Sequence, residues 1–149
     1  CEVPFSLPQD YQMAAGKGVA VTEGDDAVMF AYGPVMLAEA VKAANLLKKE
    51  YDLGLRVVKL PRLNDVDNDW LRSTVVGVRF IFTLDDHFLK GGQGEMLACR
   101  LAEINEISGY QLQRFGIDEI PECGFNDEVL HRHALDAAGL CASVYTSMR

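Results

Sequence analysis

Two acids and a histidine stand side by side in the middle of the chain, and a glycine-rich turn follows them within a few residues. A carboxylate next to an imidazole orients the ring and stabilises its charged form, which suits acid-base chemistry. Glycines at the start of a helix let backbone N–H groups face an anion such as phosphate. The candidate residues are Asp85, Asp86, His87, Gly91, Gly92 and Gly94.

The spacing of these residues favours a structural role over catalysis. Adjacent residues of an extended segment point to opposite sides, so at most Asp85 and His87 share a face. We expect a helix cap or hydrogen bonds between domains there. The turn at 91–94 lacks the lysine-serine pair of a phosphate loop and the full G-x-G-x-x-G pattern, which favours packing against a neighbouring domain over a bound phosphate. The sequence therefore predicts one loop for interdomain or anion contact, and no catalytic, cofactor-binding or metal-binding residue.

The elements that position this loop alternate between strand and helix. Apolar periodicity predicts strands at 18–23, 27–32, 55–60, 78–84 and 110–115. It predicts helices at 34–50, 67–73, 93–106, 126–136 and 139–148. Such alternation is typical of an α/β fold. The loop follows the strand at 78–84, and ligands and partner surfaces commonly meet open α/β sheets at the carboxyl ends of strands.

For three other groups of polar or reactive residues, we favour a structural interpretation over metal binding or reactivity. His131 and His133 diverge by about 200 degrees on a helix, so they are expected to be solvated rather than to chelate one metal. The acids at 65, 67 and 69 resemble the opening of a calcium loop, but glycine and glutamate are missing from its later positions, and we interpret Asp67 as a helix cap. Cys99 is expected to be a small buried hydrophobe in its helix.

Composition excludes several classes of protein. The 149 residues suit one domain with a sizeable core, and 49% are hydrophobic. A net charge of −8 with scattered bases disfavours nucleic acid and anionic membranes as partners. No run approaches the roughly 18 apolar residues that a membrane helix needs. The four cysteines form no C-x-x-C pair, so reduced thiols and a cytoplasmic location are expected.

Four ordered stretches resemble the C-terminal domain of transketolase-like, thiamine-diphosphate-dependent enzymes. The acid-acid-His and Gly-Gly-x-Gly segment is the first, and the departures there are Asp85 in place of the usual Glu and Gln93 in place of a small or apolar residue. The others are similar to the family's first strand and helix, its second core strand and its late Gly-x-x-Asp segment. They lie at 31–40, 55–60 and 115–124, and the resemblance spans roughly 17–143.

The resemblance implies a three-layer α/β/α fold with a five-stranded, mostly parallel sheet and one antiparallel edge strand. It implies a parent transferase of the transketolase or 1-deoxy-D-xylulose-5-phosphate synthase type, which moves a two-carbon unit by way of the cofactor's thiazolium carbanion. Thiamine diphosphate and magnesium would be held by the preceding domains, with neither in this chain. The chain itself would brace those domains or a separate subunit and take part in a homodimer.

The beginning of the chain indicates where this domain starts. Two prolines in irregular sequence suit a linker, so we expect residues 1–16 to be a linker from an upstream domain and residues 17–149 to be the transketolase-like domain. Two alternatives stay open. One is a free-standing α/β module that holds a small anionic metabolite at Gly91 to Gly94, and the other is a split-enzyme subunit of the 2-oxoacid dehydrogenase β type.

Overall fold

A single five-stranded sheet forms the centre of the molecule in a computed structural model, which describes residues 4–149. The strands are β1 (Val19–Ala20), β2 (Ala27–Ala31), β3 (Leu55–Lys59), β4 (Phe80–Phe88) and β5 (Gln111–Ile117). Their order across the sheet is β1-β3-β2-β4-β5, and every pair is parallel except β1 with β3. The predicted mostly parallel sheet with one antiparallel edge strand is confirmed.

Helices cover both faces of this sheet. They are α1 (Pro34–Tyr51), α2 (Asn68–Val75), α3 (Gln93–Glu103), α4 (Asn126–Arg132) and α5 (Ala137–Ser147). Residues of α1 and α5 form one buried cluster with alternate strand residues, and residues of α2 and α3 form a second cluster with the others. The molecule is thus a three-layer α/β/α domain, as the sequence predicts.

The central strand β2 shows why the sheet carries two cores. All five of its residues are buried, and alternate side chains point to opposite faces. Met29 packs in the cluster under α1 and α5, whereas Phe30 packs in the cluster under α2 and α3. A strand covered on both faces is a continuous apolar run, so β2 has no polar side chain to offer for chemistry.

The first predicted strand is shorter than expected, because a side chain takes over its pairing. Beyond Ala20, the Thr22 hydroxyl donates to the Leu55 carbonyl at 2.8 Å and accepts from the Val57 N–H at 2.8 Å. The backbone therefore leaves the ladder at Thr22 while both groups of β3 stay satisfied.

The strand before the candidate loop is longer than predicted, and this places the candidate acids on it. Strand β4 continues to Phe88, past the predicted end at residue 84. An irregularity in register follows Leu84, and pairing with β5 resumes where Phe88 faces Ile117. Asp85, Asp86 and His87 consequently belong to the irregular final part of a strand, and β5 is extended to match.

The two C-terminal helices are also divided differently from the prediction. Helix α4 ends at Arg132, and Ala134 has a left-handed φ of 53°. Asp136 then caps α5 by accepting the Gly139 N–H at 2.9 Å. A Cβ at Gly139 would lie 2.7 Å from the backbone of Ala134, so glycine permits this tight junction.

Two further expectations can be compared with the structure. Asp67 caps α2 by accepting the Trp70 N–H at 2.7 Å, which confirms its predicted role. Cys99 is exposed, so the expectation of a buried thiol is wrong. The reason is its position two residues from Leu97 and Leu101, which face the core one helical turn apart and leave Cys99 on the outer side.

The N-terminal segment lies against the domain where the structure describes it. Phe5 packs on the cluster under α1 and α5, and the Lys59 ammonium lies 5.6 Å from the centre of the Tyr11 ring. Residues 1–3 of the predicted linker, including Cys1, lie outside the described residues. In the part of the chain that the structure describes, no helix has the length and apolar character to cross a membrane.

Candidate functional site

The acids of β4 lie at the point where the sheet changes its winding direction. Helix α1 leads from β2 to β3 over one face, whereas α3 leads from β4 to β5 over the other. Because β2 and β4 are parallel neighbours, the loops that leave them diverge and open a crevice at their carboxyl ends. Tyr32 and Gly33 line the β2 side of this crevice, and Asp85 and Asp86 line the β4 side.

Asp85 acts as a cap for α3 from a neighbouring strand. Its side chain is fully buried, and its two oxygens accept the N–H groups of Gln93 at 2.7 Å and Gly94 at 3.0 Å. These are the first two residues of α3, whose amides have no partner within the helix. The helix-cap role that the sequence favours over catalysis is therefore present at Asp85.

The glycines of the turn allow this capping because they leave room for the carboxylate. A Cβ at Gly92 would lie 2.6 Å from Oδ1 of Asp85, and a Cβ at Gly94 would lie 2.8 Å from Oδ2 and closer still to the Thr83 hydroxyl. Gly91 has a φ of 77°, a conformation that favours glycine. The glycine pattern thus serves the approach of Asp85 to the helix start.

The carboxyl of Asp85 is held between two opposing effects. Burial raises its pKa, because the charged form loses water, while the amides of Gly94 and Gln93 favour the charged form. His87 and Tyr32 act in the same direction as the amides. Since the folded pKa lies above the unfolded value, protonation of Asp85 stabilises the fold at acidic pH, and this contribution is lost as pH rises through the folded pKa.

Asp86 points to the other side of the strand and has different surroundings. Its N–H donates to the Tyr32 hydroxyl at 3.0 Å, and its side chain is exposed at the crevice. Burial of part of the carboxyl raises the pKa of Asp86, against the influence of His87. Burial and the charges of both acids raise the pKa of Tyr32, against its hydrogen bond from Asp86. The sequence prediction did not include Tyr32, although its position after β2 is a usable signal.

The two histidines of the C-terminal region differ from each other. His131 is exposed and its Nδ1 lies 2.9 Å from Asp136, which fits the expected solvated position. His133 lies beyond the end of α4, is half-buried, and has an Nε2 atom that is buried without a hydrogen-bond partner in the described chain. The expectation that His133 is solvated is therefore wrong. The cause is the turn at Ala134, which brings His133 back against the carboxyl edge of the sheet.

Gln93 is the other unexpected feature of the site. The side chain is fully buried, and neither its Oε1 nor its Nε2 has a hydrogen-bond partner among residues 4–149. It begins α3 one turn before Leu97, on the face that packs against the sheet. Gln93 is thus a buried polar group whose cost the surrounding protein atoms do not offset.

The amides at the start of α3 are not free to hold the diphosphate of thiamine diphosphate. A diphosphate at the start of α3 would need the N–H groups of Gln93 and Gly94, which are donated to Asp85. The Gly91 N–H is donated to Glu95 at 2.6 Å. Among residues 4–149, no three His, Cys, Asp or Glu side chains come together as a possible metal site. The same occupied amides disfavour a metabolite anion at this turn.

Comparison with known proteins identifies the family. The family model described as transketolase, C-terminal domain, matches residues 16–140. The chain belongs to the transketolase C-terminal domain family. It is 32% identical to 1-deoxy-D-xylulose-5-phosphate synthase of Syntrophotalea carbinolica over 99% of this chain and 22% of that protein. It is 27% identical to transketolase of Rattus norvegicus over 94% of this chain and 22% of that protein.

A solved structure agrees with this membership. A split-gene transketolase described as an inactive beta4 tetramer has a TM-score of 0.83 and 26% identity, covering 98% of this chain and 46% of that one. The transketolase C-terminal domain family therefore accounts for the five-stranded sheet and its antiparallel edge. The chain spans only about a fifth of the length of the curated relatives named above, 22% in each case.

Replacing Asp85 tests its capping role. Asp85→Ala should lower the free energy of unfolding by about 2–4 kcal/mol, because two buried N–H groups lose a carboxylate acceptor. Urea denaturation followed by circular dichroism measures this change. Asp86→Asn is the matched control on the same strand, and it should change stability by less than about 0.5 kcal/mol. Equal effects of the two substitutions would contradict the cap.

Replacing Gln93 should have the opposite effect. Gln93→Met keeps an unbranched side chain of similar size and removes the unpaired amide, so the free energy of unfolding should rise by about 1–3 kcal/mol. The same urea experiment measures it, with Gln111→Met on the exposed side of β5 as the control. A loss of stability in Gln93→Met would mean that the buried amide has a hydrogen-bonding partner such as water.

Proposed function

We propose that this chain is the C-terminal, non-cofactor-binding domain of a thiamine-diphosphate-dependent transferase of the transketolase type. Its role is to brace the thiamine-binding domains, or a separate thiamine-binding subunit, and to contribute to a homodimer. The observation that carries this proposal is the occupied start of α3, where the family's glycine-rich turn binds the chain's own Asp85. The turn is thereby a rigid structural element rather than an open ligand site.

The family membership and the coverage support the same role. Homologous transketolase and 1-deoxy-D-xylulose-5-phosphate synthase chains are several times longer than this one. Two-carbon transfer by this chain's parent enzyme, with thiamine diphosphate and magnesium in the other domains, is part of the proposal. A separate subunit for some of those domains is included in the proposal because the chain is similar to a split-gene transketolase, of which it covers 46%. A cytoplasmic location is also part of the proposal.

The arrangement of the buried clusters suits a domain that supports its neighbours. Two buried clusters lie on opposite faces of one sheet, and the strand that leads into the crevice is buried throughout its first five positions after Phe80. The carboxylate of Asp85, next to the crevice, is bonded within the fold to the start of α3. A rigid support of this kind positions neighbouring domains without taking part in bond making.

The alternative of a free-standing module for an anionic metabolite has less support. It would use the Gly91 to Gly94 turn, yet the N–H groups of Gly91, Gln93 and Gly94 are donated to acidic side chains of the chain. An incoming anion would have to displace Asp85 and would face its negative charge. The geometry therefore favours the bracing role.

Cofactor titration separates these functions. Thiamine diphosphate with magnesium, added to the 149-residue chain in a calorimeter, should give no saturable heat at concentrations up to about a millimolar, because the amides of the 91–94 turn are already bonded to acidic side chains. The whole enzyme that contains this chain is the control and should bind the cofactor and show transferase activity that depends on it. Micromolar binding by the 149-residue chain would contradict the proposed role.

A further inference from the structure

A pocket with a mixed lining opens at the carboxyl edge of the sheet, next to the capped helix start. Its volume is about 200 Å³. Its polar lining residues are Asp85, Asp86, Asn126 and His133, and Asp85 is already bonded to the start of α3. Apolar side chains that include Met36, Ile117 and Leu135 form the rest of the wall. We call this cavity the edge pocket. It combines one exposed carboxylate with a buried imidazole nitrogen, Nε2 of His133, that has no partner in the described chain.

Three large apolar side chains that are close in the chain or in the sheet to residues of the edge pocket are strongly exposed. Phe125 is 79% exposed and directly precedes Asn126, and Ile120 is 89% exposed on the segment that links β5 to α4. Phe88 is 49% exposed and pairs with Ile117, which lines both the edge pocket and a neighbouring cavity that contains Phe88, Lys90 and Arg114. We call these three residues the apolar rim. Exposed apolar side chains beside a pocket of mixed lining are typical of a protein interface with an anchoring side chain.

The charge around the edge pocket indicates the chemistry of that anchor. Asp86 makes no ion pair with a Lys or Arg in the described part of the chain. The neighbouring segment from 118 to 128 contains five acids, which are Asp118, Glu119, Glu122, Asp127 and Glu128. Glu122 pairs with Arg132 and Glu128 accepts the Phe125 N–H, so the segment keeps a negative net charge after this pairing. An exposed carboxylate in such a field is best satisfied by a cation that donates hydrogen bonds, and the apolar walls suit the methylene stem of a long basic side chain.

We propose that this edge docks on the thiamine-binding part of the same enzyme, and that the edge pocket receives an arginine or lysine side chain from that part. The inference rests on the proposed function. The named homologues are more than four times longer than the segment that matches this chain, so an enzyme of this family has a large surface available for such docking. Asp86 and the imidazole of His133 would fix the orientation of the basic side chain, and the apolar rim would exclude water from it.

The docking surface can be tested by hydrogen-deuterium exchange in the whole enzyme. Peptides that contain Phe88 and residues 117–129 should exchange at least about tenfold more slowly in the whole enzyme than in the 149-residue chain. Asp86→Lys should reverse most of that protection, because it places a like charge against the basic anchor. Asp69→Lys, the same change on exposed helix α2, is the matched control and should leave the protection intact.

Each other result of this experiment contradicts the inference in a recognisable way. An active, thiamine-dependent enzyme in which these peptides exchange as fast as in the 149-residue chain would overturn the docking surface and leave the proposed function standing. Protection that appears in the 149-residue chain alone, together with a dimer in sedimentation that Asp86→Lys dissociates, would assign the surface to a second copy instead. A whole enzyme without thiamine-dependent activity would remove the proposed function and this inference with it.

A small probe tests the edge pocket without the partner. Ethylguanidinium should cause saturable chemical-shift changes at Asp86, Asn126 and His133 in the 149-residue chain, whereas the neutral ethylurea of similar shape should not. Asp86→Asn should weaken the binding by about threefold to tenfold, and Asp69→Asn should not change it. Equal binding of the two probes, or no shift at these residues, would contradict a pocket for a basic side chain.

Discussion

The fold depends on one buried carboxylate that joins a central strand to the start of the next helix. Asp85 accepts the first two N–H groups of α3, and this contact fixes where the helix begins relative to β4. Several sequence features follow from it. Glycine is required at 92 and 94 because any side chain would overlap the carboxylate or Thr83, and glycine is favoured at 116 because a Cβ there would lie 3.0 Å from the His87 carbonyl and 3.3 Å from the Asp85 Cβ. The motif that resembles a ligand-binding loop is thus a tightly packed contact between β4 and the start of α3.

The same strand presents different chemistry on its two sides, and this separates structure from contact. Asp85 faces α3 and is satisfied within the chain. Asp86, one residue later, faces the crevice between β2 and β4 and lines the edge pocket with His133. The switch point of the sheet, where many α/β proteins place a ligand, is therefore closed on one side and open on the other. An open side framed by exposed Phe125 and Ile120 is the part of the surface best suited to a neighbouring protein.

Much of the fold could be predicted from the sequence, because apolar periodicity and strand-helix alternation are local signals. For the long helix α1 and the central strands, most predicted ends agree with the structure to within one residue. The capping role of Asp67 follows from its position directly before a helix. Features that depend on tertiary contacts could not be predicted in this way. Thr22 replaces backbone pairing across 35 residues, β4 is extended by pairing with β5, and His133 is brought to the crevice by a left-handed Ala134. The exposed position of Cys99 was predictable from the helical period, since Leu97 and Leu101 already define the buried face.

The most direct test of the contact between Asp85 and the start of α3 is nuclear magnetic resonance detection of scalar couplings across its hydrogen bonds. The measurement correlates the amide nitrogens of Gln93 and Gly94 with the side-chain carboxyl carbon of Asp85 in the folded 149-residue chain. Couplings from both amides, together with slow exchange of their protons, are the result expected for a carboxylate that caps α3. Absence of both couplings, with rapid exchange of the two amides, would contradict the capping of α3 by Asp85. The start of α3 would then be free to bind an external anion.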